Sequence, residues 1–285
     1  MNKNMIFRIM KFFNSTPLLH LSVDKNFDTV TRSHVSTKKR FRLSLVALNF
    51  GTLKLYILTF STIPIARKIG CFNFFYLLDF DKIQQRKNGN EISIIAENYE
   101  KNTLNNLTPD ERSRQEEFLK IRITENNDSL SNIFDKANYY TTVILAFSAA
   151  LVYAYSKLIE LQFNITTLLI YFLALINMLD LLDLILLLRR SVSVSGFHRS
   201  SFKSLRTSKK DYALTKSLYF DFIASSNDVQ YYAGLTKNTE MRSFRVILVG
   251  FFLLICTTIK FNHIETKQDS PLLYLQSYTS LDKNR

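Results

Sequence analysis

The sequence predicts a mainly α-helical integral membrane protein: a helical hairpin that enters and leaves the bilayer, a third and shorter apolar run, and an N-terminal region of less defined structure. Three observations carry this. Long uncharged stretches occupy residues 139–188, a formal charge of +13 is concentrated outside them, and only six Gly and four Pro interrupt 285 residues. An apolar fraction of 47% with 21% charged residues argues against wholesale disorder.

Residues 1–90 form the first region, assigned to the cytoplasm. The start MNKNMIFRIMKFF is basic, but Arg8 and Lys11 interrupt the apolar positions a signal peptide would need. A short interfacial amphipathic helix competes there with disorder. The run from Arg42 to Leu78 is rich in β-branched and aromatic residues, with partial alternation around Thr52 to Phe60. Short strands or a collapsed core segment are favoured over a poor membrane helix holding Lys54 at its middle. Pro64 ends that stretch, and Asn88-Gly89-Asn90 reads as a turn or linker.

Residues 91–138 form a charged helical connector. Thr108-Pro109-Asp110-Glu111 supplies an N-cap, a proline at the first helical position and a capping-box acid. A helix is expected from about Pro109 to Thr124, and another leading into the membrane from about Leu130. The alternating charges of Glu116, Glu117, Lys120, Arg122 and Glu125 describe a solvated face.

The hairpin occupies residues 139–188. Tyr139 to Ser156 carries no formal charge, and at about 1.5 Å per residue it approaches the thickness of a hydrocarbon core of about 30 Å. Leu161 to Leu179 is likewise uncharged, and the Leu-rich pattern runs past Asp180 and Asp183 to Leu188, where Arg189 and Arg190 stop it. Lys157 to Glu160 is too short a link for anything but an antiparallel pair whose outer ends return to one side.

Ten Lys and Arg lie from Arg189 to Arg242, against Lys157 alone in the hairpin loop. This places residues 189–243 in the cytoplasm. The basic cytoplasmic face is assigned to Arg189, Arg190, Arg199, Lys203, Arg206, Lys209 and Lys210. Positive charge beside a cytoplasmic leaflet attracts anionic lipid by about 1 kcal/mol per residue, a simpler account than nucleic-acid binding, although basic residues with interleaved aromatics also suit the latter. Gly196 and Gly234 are expected to break this helical segment, with Tyr219, Phe220, Phe222, Tyr231 and Tyr232 as its small core. Residues 244–260 are the third span; its uncharged run, Val246 to Ile259, is short, and Arg245 and Lys260 lengthen it by snorkelling. A tail, 261–285, follows.

Little points to catalysis. Cys71 and Cys256 lack metal or redox spacing, and His20, His34, His198 and His263 stand singly, so no metal and no cofactor are assigned. No nucleophile motif is present, and the chain is not expected to be an enzyme. The one candidate for membrane chemistry is the pair Asp180 and Asp183, which share a helical face at i, i+3. Buried at depth they form an ion path or gate, since such charges are costly, about 2.5–3.5 kcal/mol each at the bilayer centre. At the interface the cost is small, and Arg189 or Arg190 is in reach to pair with them.

Phe134-Asp135-Lys136-Ala137 at the mouth of the first span, the hairpin after it, and Leu218-Tyr219-Phe220-Asp221-Phe222-Ile223-Ala224 with Tyr231-Tyr232 resemble the order of features in prokaryotic antiphage membrane effectors of the Pycsar type. The resemblance covers about half the chain. Without a recognisable cyclic-nucleotide cassette at the N-terminus, the retron-associated transmembrane effectors are the closer analogy. That resemblance implies a bacterial inner-membrane protein, held inactive by a reverse transcriptase with its RNA–DNA product. On release it would disrupt the membrane as a homo-oligomer and abort the infection. Two other readings stay open: an accessory subunit of an ion channel or transporter, and a membrane-tethered module that binds nucleic acid or protein.

Overall fold

The computed structural model describes residues 3–14, 17–22, 42–61, 71–161, 164–192, 197–201 and 211–281. It is mainly helical. The elements in order are α1 (Lys3–Asn14), β1 (Leu18–Ser22), β2 (Arg42–Phe50), β3 (Leu53–Ser61), β4 (Cys71–Asp79), α2 (Phe80–Gln84), α3 (Gly89–Asn102), a 3-10 turn (Leu104–Asn106), α4 (Pro109–Ile159), α5 (Ile165–Val192) and α6 (Ala213–Leu281). The chain divides into two compact units: Met1–Tyr139 with Leu184–Glu240, and Tyr140–Asp183 with Met241–Arg285.

The first unit holds a four-stranded antiparallel sheet in the order β1-β2-β3-β4. The competition between strands and a membrane helix resolves to strands over residues 42–61 and 71–79, where β-branched and aromatic side chains suit a sheet that buries one face. Gly51-Thr52 closes the β2–β3 hairpin. Gly51 adopts φ 62°, and a Cβ there would stand 2.8 Å from Leu186 Cβ, so both the turn and the close approach require glycine.

Alternation along the sheet slips once. On β2 the buried positions are Arg42, Ser44 and Ala47; on β3 they are Lys54, Tyr56 and Thr59. The three-residue steps Ser44 to Ala47 and Tyr56 to Thr59 lie side by side, where Leu58 takes φ 52°. A left-handed residue restarts the alternation and keeps both ends of each strand facing the same core.

The sheet packs through Ala47, Tyr56 and Leu78 onto Phe80, Leu130, Leu187, Tyr231, Tyr232 and Leu235. Tyr99 stacks on Tyr219, ring centroids 3.7 Å apart, and burial raises the pKa of the Tyr99 hydroxyl above its ordinary value. The aromatic group read from the sequence between Tyr219 and Tyr232 thus takes part in packing within this unit.

Helix boundaries differ from expectation in four places. Asn88 is not a linker residue but the N-cap of α3: its side chain accepts from Glu91 N, and the Glu91 carboxylate accepts from Asn88 N at 3.0 Å. The Thr108 and Glu111 pair closes the expected capping box of α4. That helix then runs unbroken for 51 residues instead of stopping near Thr124. The polar stretch Glu125-Asn-Asn-Asp-Ser129 favours no helix by itself, but Asn126 donates to Ser225 Oγ at 2.9 Å and Leu130 is in the core, so packing overrides propensity. Gly234 does not interrupt α6. A side chain there would come within 3.2 Å of Phe80 and Gln84, so the glycine admits α2 against the helix. Residues 261–281, expected as a tail, continue α6. The expected break at Gly196 lies outside the described residues.

The second unit is helical. Its core joins Ala154, Leu158, Leu161, Ile170, Ala174 and Leu253. Tyr155 donates to Asn177 Oδ1 at 3.0 Å, Asn177 donates to the Val246 carbonyl at 3.0 Å, and Tyr171 donates to the Leu158 carbonyl at 3.1 Å. At Gly250 a Cβ would lie 2.6 Å from Leu151 and 2.8 Å from Phe147, so the glycine lets α6 approach α4. The hairpin turn carries a Lys157–Glu160 ion pair at 3.0 Å, and Asn164 caps α5 by accepting from Thr167 N.

Three helices, within α4, α5 and α6, are long and apolar enough to cross a membrane. Only 22–28% of their most apolar windows is buried within the fold. Leu145, Val152, Leu169, Phe172, Met178 and Phe251 point outward, which suits a hydrocarbon solvent and is costly in water.

Candidate functional site: a buried four-charge cluster

In the second unit Asp180 and Asp183 lie one helical turn apart on α5, and Arg242 and Arg245 lie at the same spacing on α6. Contacts rise along one helix as they fall along the other: Ala174 clusters with Leu253, Asn177 reaches Val246, Asp180 meets Arg245, Asp183 meets Arg242. The two helices are therefore antiparallel, and equal spacing on antiparallel helices brings both ion pairs into register.

Arg245 Nε is 2.6 Å from Asp180 Oδ2 and Arg242 Nε is 2.9 Å from Asp183 Oδ2; Arg242 Nη1 stands 3.9 Å from Asp180 Oδ1 and links the two pairs. Asp180, Asp183 and Arg242 are buried at 4%, 1% and 6% exposure. At about 1.5 Å per residue, Asp180 lies about 22 Å along α5 from its first residue, toward the far end of a hydrocarbon core. Four isolated charges would be untenable there, so each depends on its partner. With two carboxylates against two guanidinium groups the cluster is formally neutral.

Neither Arg189 nor Arg190 serves as the partner the sequence offered for these acids. Arg190 donates to Asp81 Oδ2 at 2.8 Å and to Tyr231 OH at 3.1 Å, and Tyr231 donates to Asp81 Oδ1 at 2.7 Å. This triad belongs to the first unit. Tyr231 is well before the third apolar run; burial and the bond to Asp81 push its pKa up to about 12. Arg189 is exposed. Arg199 approaches Asn127 Oδ1 at 3.4 Å and Asp228 Oδ2 at 3.9 Å, and Asp228 also accepts from Arg86 at 2.8 Å. Lys203, Arg206, Lys209 and Lys210 lie outside the described residues. The basic face is thus divided, with Arg190 and Arg199 engaged in contacts of the first unit.

Arg242 and Arg245 carry a signal the sequence reading passed over. By position alone Arg242 reads as a topology charge and Arg245 as a snorkelling end residue. The matching i, i+3 spacing of two acids and two bases on consecutive spans is itself a pairing pattern.

A cavity of about 420 Å³ in the first unit is lined by Ser93, Glu97, Arg199, Tyr212 and Lys216, among others. Glu100 closes one wall by accepting from Tyr212 and Lys216. Among the described residues no three His, Cys, Asp or Glu come together as a metal site. The chain matches no protein-family model, no curated protein and no solved structure.

Proposed function

We propose that the protein acts on the lipid bilayer as a membrane effector of bacterial antiphage defence, resident in the inner membrane, with the four-charge cluster as the latch that keeps its helices quiet. The supporting observation is the in-register pairing of Asp180 and Asp183 with Arg245 and Arg242 between two apolar helices of the second unit. While closed, the latch neutralises every charge at that depth. Parting α5 from α6 exposes two acids and two bases in a low-dielectric medium, where they must find water or the complementary charges of a neighbouring protomer. Either outcome perforates the membrane. Control by a reverse transcriptase with its RNA–DNA product is the proposed setting of the trigger.

An accessory role in ion transport draws less support. A cation path calls for excess negative charge, and here two guanidinium groups balance two carboxylates. The test is induced expression of the full chain in bacteria carrying a potential-sensitive dye. The wild type should leave the potential intact until phage is added beside its neighbouring genes, while Asp183→Asn, which loosens the latch, should depolarise cells without phage. Intact potential under both conditions would remove the reading. Selective ion flux during normal growth would favour transport instead.

A further inference from the structure

The sheet of the first unit is inverted relative to a sheet of a water-soluble domain. Its inner face buries His20, Arg42, Ser44, Lys54 and Thr59 alongside Tyr56 and Ala47. The opposite face is apolar. Register places Leu43, Phe60 and Phe72 in one cross-strand row, Val46, Ile57 and Phe75 in the next, and Leu48, Leu55 and Leu77 in a third. Leu43, Phe60, Phe72, Phe75 and Leu77 are 42–63% exposed. Across these rows there is no charged residue, and the acid Asp79 stands only at the end, as the N-cap of α2. An apolar surface on this scale is an interaction site.

Charge indicates what covers it. Helix α1 joins the sheet at β1, where Leu21 N donates to Asn14 Oδ1 at 2.7 Å. The helix is amphipathic: Met5 and Ile9 are exposed on it, as are the cations Arg8 and Lys11, and it contains no acid. Exposed apolar side chains interspersed with cations describe an interfacial helix. A second copy docked on this face would bring its own cationic α1 toward this one, whereas anionic headgroups attract each cation. The three helices long and apolar enough to cross a membrane would bring the chain to one. We infer that the exposed face of the β1–β4 sheet, with α1 beside it, lies on an anionic lipid surface as a monotopic anchor separate from the spans.

The chain has no tryptophan, so a single introduced indole reports its own site. Full-length Phe75→Trp, and independently Phe72→Trp, would be reconstituted in phosphatidylglycerol vesicles with brominated acyl chains. Phe118→Trp on α4, exposed in the first unit, serves as the reference. The expected result is blue-shifted emission quenched about two-fold or more by bromine at both sheet positions and not at Phe118→Trp, with less quenching when Arg8→Glu and Lys11→Glu are added. Water-like emission would overturn the inference. So would blue-shifted emission that bromine leaves unquenched: dependence on protein-to-lipid ratio would assign the face to a second copy, and independence would assign it to another segment of this chain. Quenching indifferent to the two charge reversals would overturn the electrostatic part.

Discussion

Both units bury charge, and the sheet of the first surrounds it differently from the helices of the second. The helical unit sets carboxylates against guanidinium groups in matched pairs. In the sheet of the first unit, Arg42 lies 3.5 Å over the Tyr76 ring and 5.2 Å from that of Tyr56, while Lys54 Nζ sits 2.9 Å from His20 Nε2. That last contact needs one acceptor, so ring nitrogen and ammonium cannot both present protons to each other. A ring face beside a cation contributes modestly, whereas removing one member of a buried carboxylate–guanidinium pair leaves an orphan charge. The four-charge cluster is accordingly brittle, as the proposed latch requires.

The comparison breaks most readily at Arg242. Arg242→Met should cost about 3–5 kcal/mol by stranding Asp183. Hydrogen exchange on reconstituted protein should show the loss in peptides from 140–183 and 241–260. The double variant Asp183→Leu with Arg242→Met should regain most of it, and a failure to do so would mean that packing, not charge pairing, holds the site. Next comes Leu235→Ala, which opens a cavity beneath the sheet at about 2–5 kcal/mol. Its exchange signature should fall on the strands and on residues 213–240. Matching signatures for the two variants would erase the distinction between the units.

A smaller effect is expected at the start of α3. Asn88→Ala removes half of a capping box and should lower stability by about 1 kcal/mol, read as fraying of residues 89–93 alone. The smallest is alkaline. Tyr231 keeps its proton in the folded state beyond the ordinary tyrosine range, so its contribution is complete below about pH 10 and lost as pH rises through about 12. Absorbance titration should show a phenol titrating at about pH 12 that disappears in Tyr231→Phe. The same late phase in that variant would assign it elsewhere.

Legibility in the sequence followed the range of the interactions. The apolar runs within 139–188 and 244–260 and the Thr108 cap are local, and each emerged as expected. The β propensity of 42–79 was visible, but its inverted burial was not, because alternation alone does not say which face meets a core, and the slip at Leu58 offers no residue-type signature. The union of the two expected helices near Glu125 depended on Ser225, far along the chain. Asp180 and Asp183 were legible as unusual acids. Their partners were not, because Arg242 and Arg245 stand at the start of an apolar run, where basic residues equally mark a membrane edge.

Asn177 constrains how the helices of the second unit can move. One carboxamide accepts from α4 and donates to the backbone of α6, and so indexes three rods axially at once. Sliding either neighbour by a turn would strand a polar group in hydrocarbon, closing off ratchet-like motion. What remains cheap is lateral parting, after which the same amide is free to clasp a new rod at the same height.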